Sequence, residues 1–158
     1  MKRLIALILI LCTSLFTIGC SKDASDSSDT STTADDVVVE ANQTDVSIGD
    51  TITVKITLNN LTGVKSVAIR PVFDEESFSV VNSRNLAGGI IADNSNGMVS
   101  SLFAEEKSMN GAAVAEFIIK ANAVGNGKTI AFTVSALGAN DTKIDVKQAD
   151  NIQINVKY

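Results

Sequence analysis

Apolar and polar positions alternate along most of the chain beyond residue 36. In Thr51–Leu58, TITVKITL, the side chains Ile52, Val54, Ile56 and Leu58 alternate with Thr53, Lys55 and Thr57. A period of two over eight residues predicts a strand with one buried face. Thr129–Ala136 repeats the pattern through Ile130, Phe132, Val134 and Ala136, and Ile152–Tyr158 through Ile152, Ile154, Val156 and Tyr158. Further strands are predicted at Val37–Ala41, Val46–Ile48, Lys65–Phe73, Ser77–Val81, Met98–Phe103 and Ala112–Ala121. Gly-, Asn- and Asp-rich turns separate them, as at Gly49-Asp50, Asn59-Asn60, Asn110-Gly111 and Gly125-Asn126-Gly127. Many short strands with regular turns predict an all-β sandwich or barrel. No sustained i, i+3, i+4 apolar face runs against that reading, although one helical turn fits near Ala104–Ser108. Pro71 lies inside a predicted strand, where it removes a ladder donor, so a local break is expected there.

The first 35 residues differ in kind. MKRLIALILILCTSLFTIGC begins with two cations, continues with an apolar run from Leu4 to Cys12, and ends with Gly19 before Cys20. That is the order of a secretory signal over residues 1–19, and the run is short for a membrane span of about 20 residues. Its end, Thr17-Ile18-Gly19-Cys20, resembles a bacterial lipobox, with Thr17 where Leu is usual. The resemblance implies cleavage before Cys20 and lipid on Cys20, hence attachment to a membrane at the cell surface or outer membrane. Several acyl chains on one residue anchor stably where a single chain does not. After Cys20, residues 21–35 are Ser, Thr, Asp and Ala apart from Lys22, with no apolar side chain larger than Ala. Such a segment cannot offset its ordering entropy by burial and reads as a tether reaching roughly 20 Å. Residues 36–158 then form one domain.

Composition narrows the chemistry. The 158 residues include no His and no Trp, and carry 13 basic and 18 acidic side chains for a net charge of -5. Nucleic acid calls for a clustered basic face, so it is excluded as a partner. Of the two cysteines, Cys12 leaves with the signal and Cys20 takes lipid, so the domain has no thiol. Without His or a free thiol, no nucleophile–base pair can be built from the usual groups, and the chain is read as not an enzyme. The carboxylate clusters Asp74-Glu75-Glu76 and Glu105-Glu106 read as solvated turns. Asp93-Asn94-Ser95-Asn96-Gly97 offers hard oxygens but lacks the spacing of a calcium loop, so no metal and no cofactor are assigned. A sugar platform would need exposed aromatics. Phe73, Phe78, Phe117 and Phe132 fall mostly on inward positions, leaving Phe103 and Tyr158 as the exposed candidates.

The ordered set VSIGDTITVKITLNNLTGVKSVAIRPVFDEESFSVV, MNGAAVAEFIIKANAVGNGKTIAFTVSAL and DNIQINVKY resembles a cohesin domain. The likeness rests on the Gly49-Asp50 turn, Gly63-Val64, the strand ending in Phe73-Asp74, the pair Val80-Val81, and the central Phe117 followed by Gly125. It implies a jelly-roll sandwich of about nine strands. It also implies a binding role toward a dockerin, a small calcium-loaded module carried by a partner protein. A polar pair on the third strand, usually Asn then Asp, faces the partner in that family. Those positions fall on Ser66 and Ala68, of which only Ser66 keeps hydrogen-bonding capacity. Alternation places Ser66, Ala68, Arg70 and Val72 on the outer face and Val67, Ile69 and Phe73 inside. Carbohydrate-binding modules share the fold, so polysaccharide binding or adhesion, and a structural envelope role, stand as alternatives.

Overall fold

A computed structural model describes residues 35–158 except 94–96, with backbone alone at 91–93; the signal, Cys20 and tether assignments lie outside the described residues. The strands are β1 (Val37–Ala41), β2 (Asp45–Ser47), β3 (Thr51–Leu58), β4 (Leu61–Val72), β5 (Phe78–Asn85), β6 (Ile91–Asp93), β7 (Val99–Met109), β8 (Ala112–Ala121), β9 (Gly125–Leu137), β10 (Lys143–Ile144) and β11 (Ile152–Lys157). One sheet has the order β1-β3-β8-β5 and the other β2-β11-β9-β4-β7-β6, with β10 also on β9. β3 and β8 begin and end as the alternation predicts, and the all-β expectation holds throughout.

The inward rows of the two sheets form a single core. Ile52, Val54, Ile56 and Leu58 of β3 are fully buried, as are Ile119 and Phe117 of β8 and Ile130 of β9. Phe117 and Phe132 meet across the two sheets with ring centroids 5.3 Å apart. Burial of each such side chain stabilises the fold by roughly 1.5–3 kcal/mol, which is why a strict period of two specifies the layer.

Three expectations require correction. The described residues form eleven strands, because β6 and β10 have two or three residues and no alternation to announce them. Ala104–Ser108 is strand, not a helical turn. From Val64 to Ser66 on β4 the partner strand β7 runs from Lys107 to Leu102, so β7 carries three surplus residues as a large bulge there. The run Ala-Glu-Glu-Lys within it has no inward position to fill, so its sequence shows no strand period. Pro71 causes no break: β4 is continuous through it and pairs Pro71 with Phe132. The ladder between β4 and β7 ends at Ile69, so one side of the strand is already unpaired where the proline lacks its donor.

β10 and β11 are two pieces of one strand lying along β9. Ile144 faces Ala136 and Ile152 faces Ile130, so eight steps of chain lie beside six of β9. The surplus bows outward between residues 145 and 151. Inside that bow the Gln148 side chain takes the place of the missing backbone. Its Oε1 accepts from Val134 N at 2.8 Å and its Nε2 donates to Val134 O at 2.9 Å. Val146 and Ala149 pack against the core from the same segment. Its neighbour Lys147 holds the start of the domain, donating from its backbone to Asp36 Oδ2 at 2.9 Å and pairing with Asp35 Oδ1 at 2.6 Å. Replacing Gln148 by Ala is expected to lower stability by about 1–2 kcal/mol, by orphaning both polar groups of Val134. Gln148→Asn, too short to span the gap, should fall equally far. Urea unfolding of the three chains checks this, and an unchanged midpoint would remove the assigned role.

Candidate protein-binding face

β4 pairs on both flanks, with β9 along Ser66–Val72 and with β7 as far as Ile69. Its alternation is therefore fixed from two sides. Val67 and Ile69 are buried, while Ser66 and Ala68 are half-exposed and Arg70 and Val72 exposed, as the sequence pattern requires. Phe73 is half-buried and packs edge-on against Phe78, 5.9 Å between centroids.

Register shows what surrounds those four residues. Ser66 lies between Leu137 of β9 and Leu102 of β7, Ala68 between Ser135 and Ser100, and Arg70 beside Thr133. Lys143 of β10 extends the first row beyond Leu137. The face thus has a middle of small residues on β9, β4 and β7, bordered by Asp93 of β6 next to Ser100, with a leucine pair at one end and a guanidinium toward the other. Two shallow depressions meet at Ala68 and Ser135. One, about 200 Å³, is walled by Leu102 and Leu137; the other, about 330 Å³, by Arg70, Met98 and Thr133. Alternation located the β4 residues, but their neighbours on β7, β9 and β10 depend on cross-strand register, which a single sequence does not display.

The outer face of the opposite sheet has different chemistry. Glu40 of β1, Lys55 of β3, Glu116 of β8 and Arg84 of β5 stand in one transverse row of alternating sign. Arg84 Nη2 and Glu116 Oε1 are 2.8 Å apart. Opposite charges thus face one another along the row, and such a face is suited to water.

The other candidates resolve into structure. At the acidic corner, Asp74 Oδ2 accepts from Ser77 Oγ at 2.6 Å and Oδ1 from Glu76 N at 3.2 Å. The Asp74 backbone carbonyl accepts from Ser77 N and Phe78 N, and Lys128 Nζ donates to the buried Ser77 hydroxyl at 2.8 Å. These bonds shape the turn into β5. Glu105 and Glu106 ride the β7 bulge. Phe103 is buried, against the expectation of exposure, with the Lys107 ammonium 4.6 Å above its ring. Phe78, Phe117 and Phe132 are core as expected, and Tyr158 alone among these rings is open, at 96% exposure. Asn94–Asn96 of the oxygen-rich loop lie outside the described residues; among the described residues no group of three or more metal-binding side chains gathers.

No family model matches this sequence, and no curated protein matches it. Solved structures do match. The cohesin module of a family 33 glycoside hydrolase from Clostridium perfringens aligns with a TM-score of 0.61 at 10% identity, over 77% of this chain and 97% of its own. The third ScaB cohesin of R. flavefaciens, solved with a group 1 dockerin, gives 0.58 at 10% identity over 78% and 96%. A type II cohesin domain from the cellulosome of Acetivibrio cellulolyticus gives 0.53 at 16% over 76% and 94%. The two sheets of residues 35–158 therefore form a β-sandwich of the cohesin type.

The hydrogen bond from Ser77, then that from the Glu76 amide, holds the Asp74 carboxyl below the ordinary carboxylate range. A carboxylate with a lowered folded-state pKa adds stability above its unfolded value of about 3.9, lost as pH falls through the folded one. Asp74→Asn is expected to flatten the fall in melting temperature as the pH drops below about 4. Parallel slopes for variant and wild type would show that the corner bond contributes nothing.

Proposed function

We propose that this chain is a surface-anchored, non-catalytic binding lipoprotein whose sandwich domain attaches to another protein through the outer face of β9, β4 and β7. The observation that carries the reading is the contrast between the two sheet faces. Neither β4 nor β9 contains an Asp or Glu, and those of β7 sit on its bulge at Glu105 and Glu106, whereas the opposite face carries a row of alternating charge. A flat, small-residue patch with leucines at one end loses little on desolvation and gains on contact. The cohesin-type fold supports a partner of the dockerin kind, since neighbours of this fold were solved bound to dockerins. A dockerin-bearing extracellular protein is the partner we assign. Anchoring rests on the signal-like start and on Cys20 at its end.

The test is capture from the source organism's secreted proteins on the full chain held in detergent, with calcium and then with chelator. A dockerin-bearing protein is expected with calcium, lost with chelator and lost on Ala68→Trp, which fills the middle of the face. Capture that persists in the Ala68→Trp chain would place binding elsewhere. Absence of any calcium-dependent partner would leave the cohesin-type fold without the dockerin function. Separately, Cys20→Ala is expected to shift the chain from the membrane fraction to the soluble secreted fraction. Retention in the membrane would refute lipid on Cys20.

A further inference from the structure

The chain contains three Asn-Gly pairs, and the two whose residues are both described share one arrangement. Asn110-Gly111 is the corner from β7 into β8, and Asn126-Gly127 stands at the start of β9. All four residues are exposed. Asn-Gly is the dipeptide at which a chain most readily closes on itself. The glycine nitrogen, with no Cβ beside it, gives up its proton and attacks the carbonyl carbon of the Asn side chain. A five-membered succinimide forms and ammonia leaves. Water then opens the ring at one carbonyl or the other, giving aspartate or isoaspartate. The net change is one water taken up and one ammonia lost.

In both pairs that nitrogen already has a partner. Gly111 N donates to Asn59 Oδ1 at 2.9 Å, and Gly127 N to Asn155 Oδ1 at 3.0 Å. Each accepting amide is oriented from its other end. Asn59 Nδ2 donates to the Asp35 carbonyl at 3.3 Å, and Asn155 Nδ2 to Asp45 Oδ1 at 3.3 Å. Both of those targets can only accept, so the amide oxygen is the atom that faces the glycine. Register brings the groups together. Leu58 opposite Ala112 and Leu61 opposite Met109 set two sheet-crossing corners side by side. Asn155 sits at the irregularity between Ile154 opposite Lys128 and Val156 opposite Gly125. Taking the proton from such a nitrogen also breaks the bond it makes, and turning it toward the neighbouring Asn pulls it off its acceptor.

We propose that Asn110 and Asn126 are latent deamidation sites, held inactive by Asn59 and Asn155 through the two glycine amides. Isoaspartate adds a methylene to the backbone, which at Asn110 would push apart the corners that Asn59 ties together.

The full chain in detergent, kept at mildly alkaline pH and digested at intervals, yields the deamidation rate at each site by mass. Labelling by an isoaspartate methyltransferase gives a second readout. Both sites are expected to react more slowly in the folded chain than in the same chain in urea. Asn59→Ala should speed Asn110 at least ~5-fold, the rate equivalent of one ordinary hydrogen bond, and leave Asn126 unchanged. Asn155→Ala should do the converse. Asn59→Asp keeps the acceptor oxygen and loses only the donor to Asp35, so Asn110 should stay as slow as in wild type. This site-by-site exchange separates a lost hydrogen bond from lost stability, which would speed both sites together. Equal rates for the folded and urea-treated chains would overturn the proposal. So would an Asn59→Ala chain no faster at Asn110, an Asn59→Asp chain as fast as Asn59→Ala, or an alanine variant that speeds both sites alike.

Discussion

Seven consecutive residue pairs between β4 and β9, from Ser66 opposite Leu137 to Val72 opposite Ala131, set everything on the candidate face. A slip of one residue in that ladder would bring Ser66, Ala68 and Arg70 into the core and expel Val67 and Ile69. Burying Arg70 without a partner would cost far more than any surface contact returns. The positions on the candidate face and the positions that fold are therefore one specification, read on alternate residues. Phe117 against Phe132 fixes the opposite side of the same constraint, since β9 can shift only by dragging a ring out of the inter-sheet layer.

The edges of the sandwich are handled by irregularity. β6 is only three residues long, and the loop before it passes so close to β7 that a Cβ on Gly89 would lie 2.8 Å from the Leu102 carbonyl oxygen. The bulge in β7 and the bow between β10 and β11 twist or cover the flanks of the long sheet. Short edges and bulges blunt the tendency of an exposed strand to recruit another chain edge to edge. The sheet face, whose strands are paired on both sides at its centre, is left as the surface where side-chain identity can discriminate.

Where burial alternates strictly, the sequence sufficed. β1, β3 and β8 begin and end as their patterns predict, and the inward and outward sets of β4 follow from period two alone. What escaped depends on pairs distant in sequence. Lys143 joins the candidate face only through its register with Leu137, and two residues of strand leave no periodic trace. Phe103 was misplaced because the β7 bulge follows it immediately, so the polar run beyond it resembled a strand end. Pro71 looks like an interruption in sequence because its unpaired flank depends on where the ladder to β7 ends. The resemblance to cohesins supplied the jelly-roll arrangement, which alternation alone left open between sandwich and barrel.

Lys147 and Gln148 are consecutive, yet one grips Asp36 at the start of the first sheet and the other grips Val134 in the middle of the second. A pull arriving through the residues before Asp35 is consequently divided. One branch loads the β1–β3 ladder beginning at Val37 and Leu58; the other crosses through two side chains to β9, the strand beside β4. Tension on the chain start is thus shared by both sheets before any core contact is sheared, and the sandwich resists being peeled open one strand at a time.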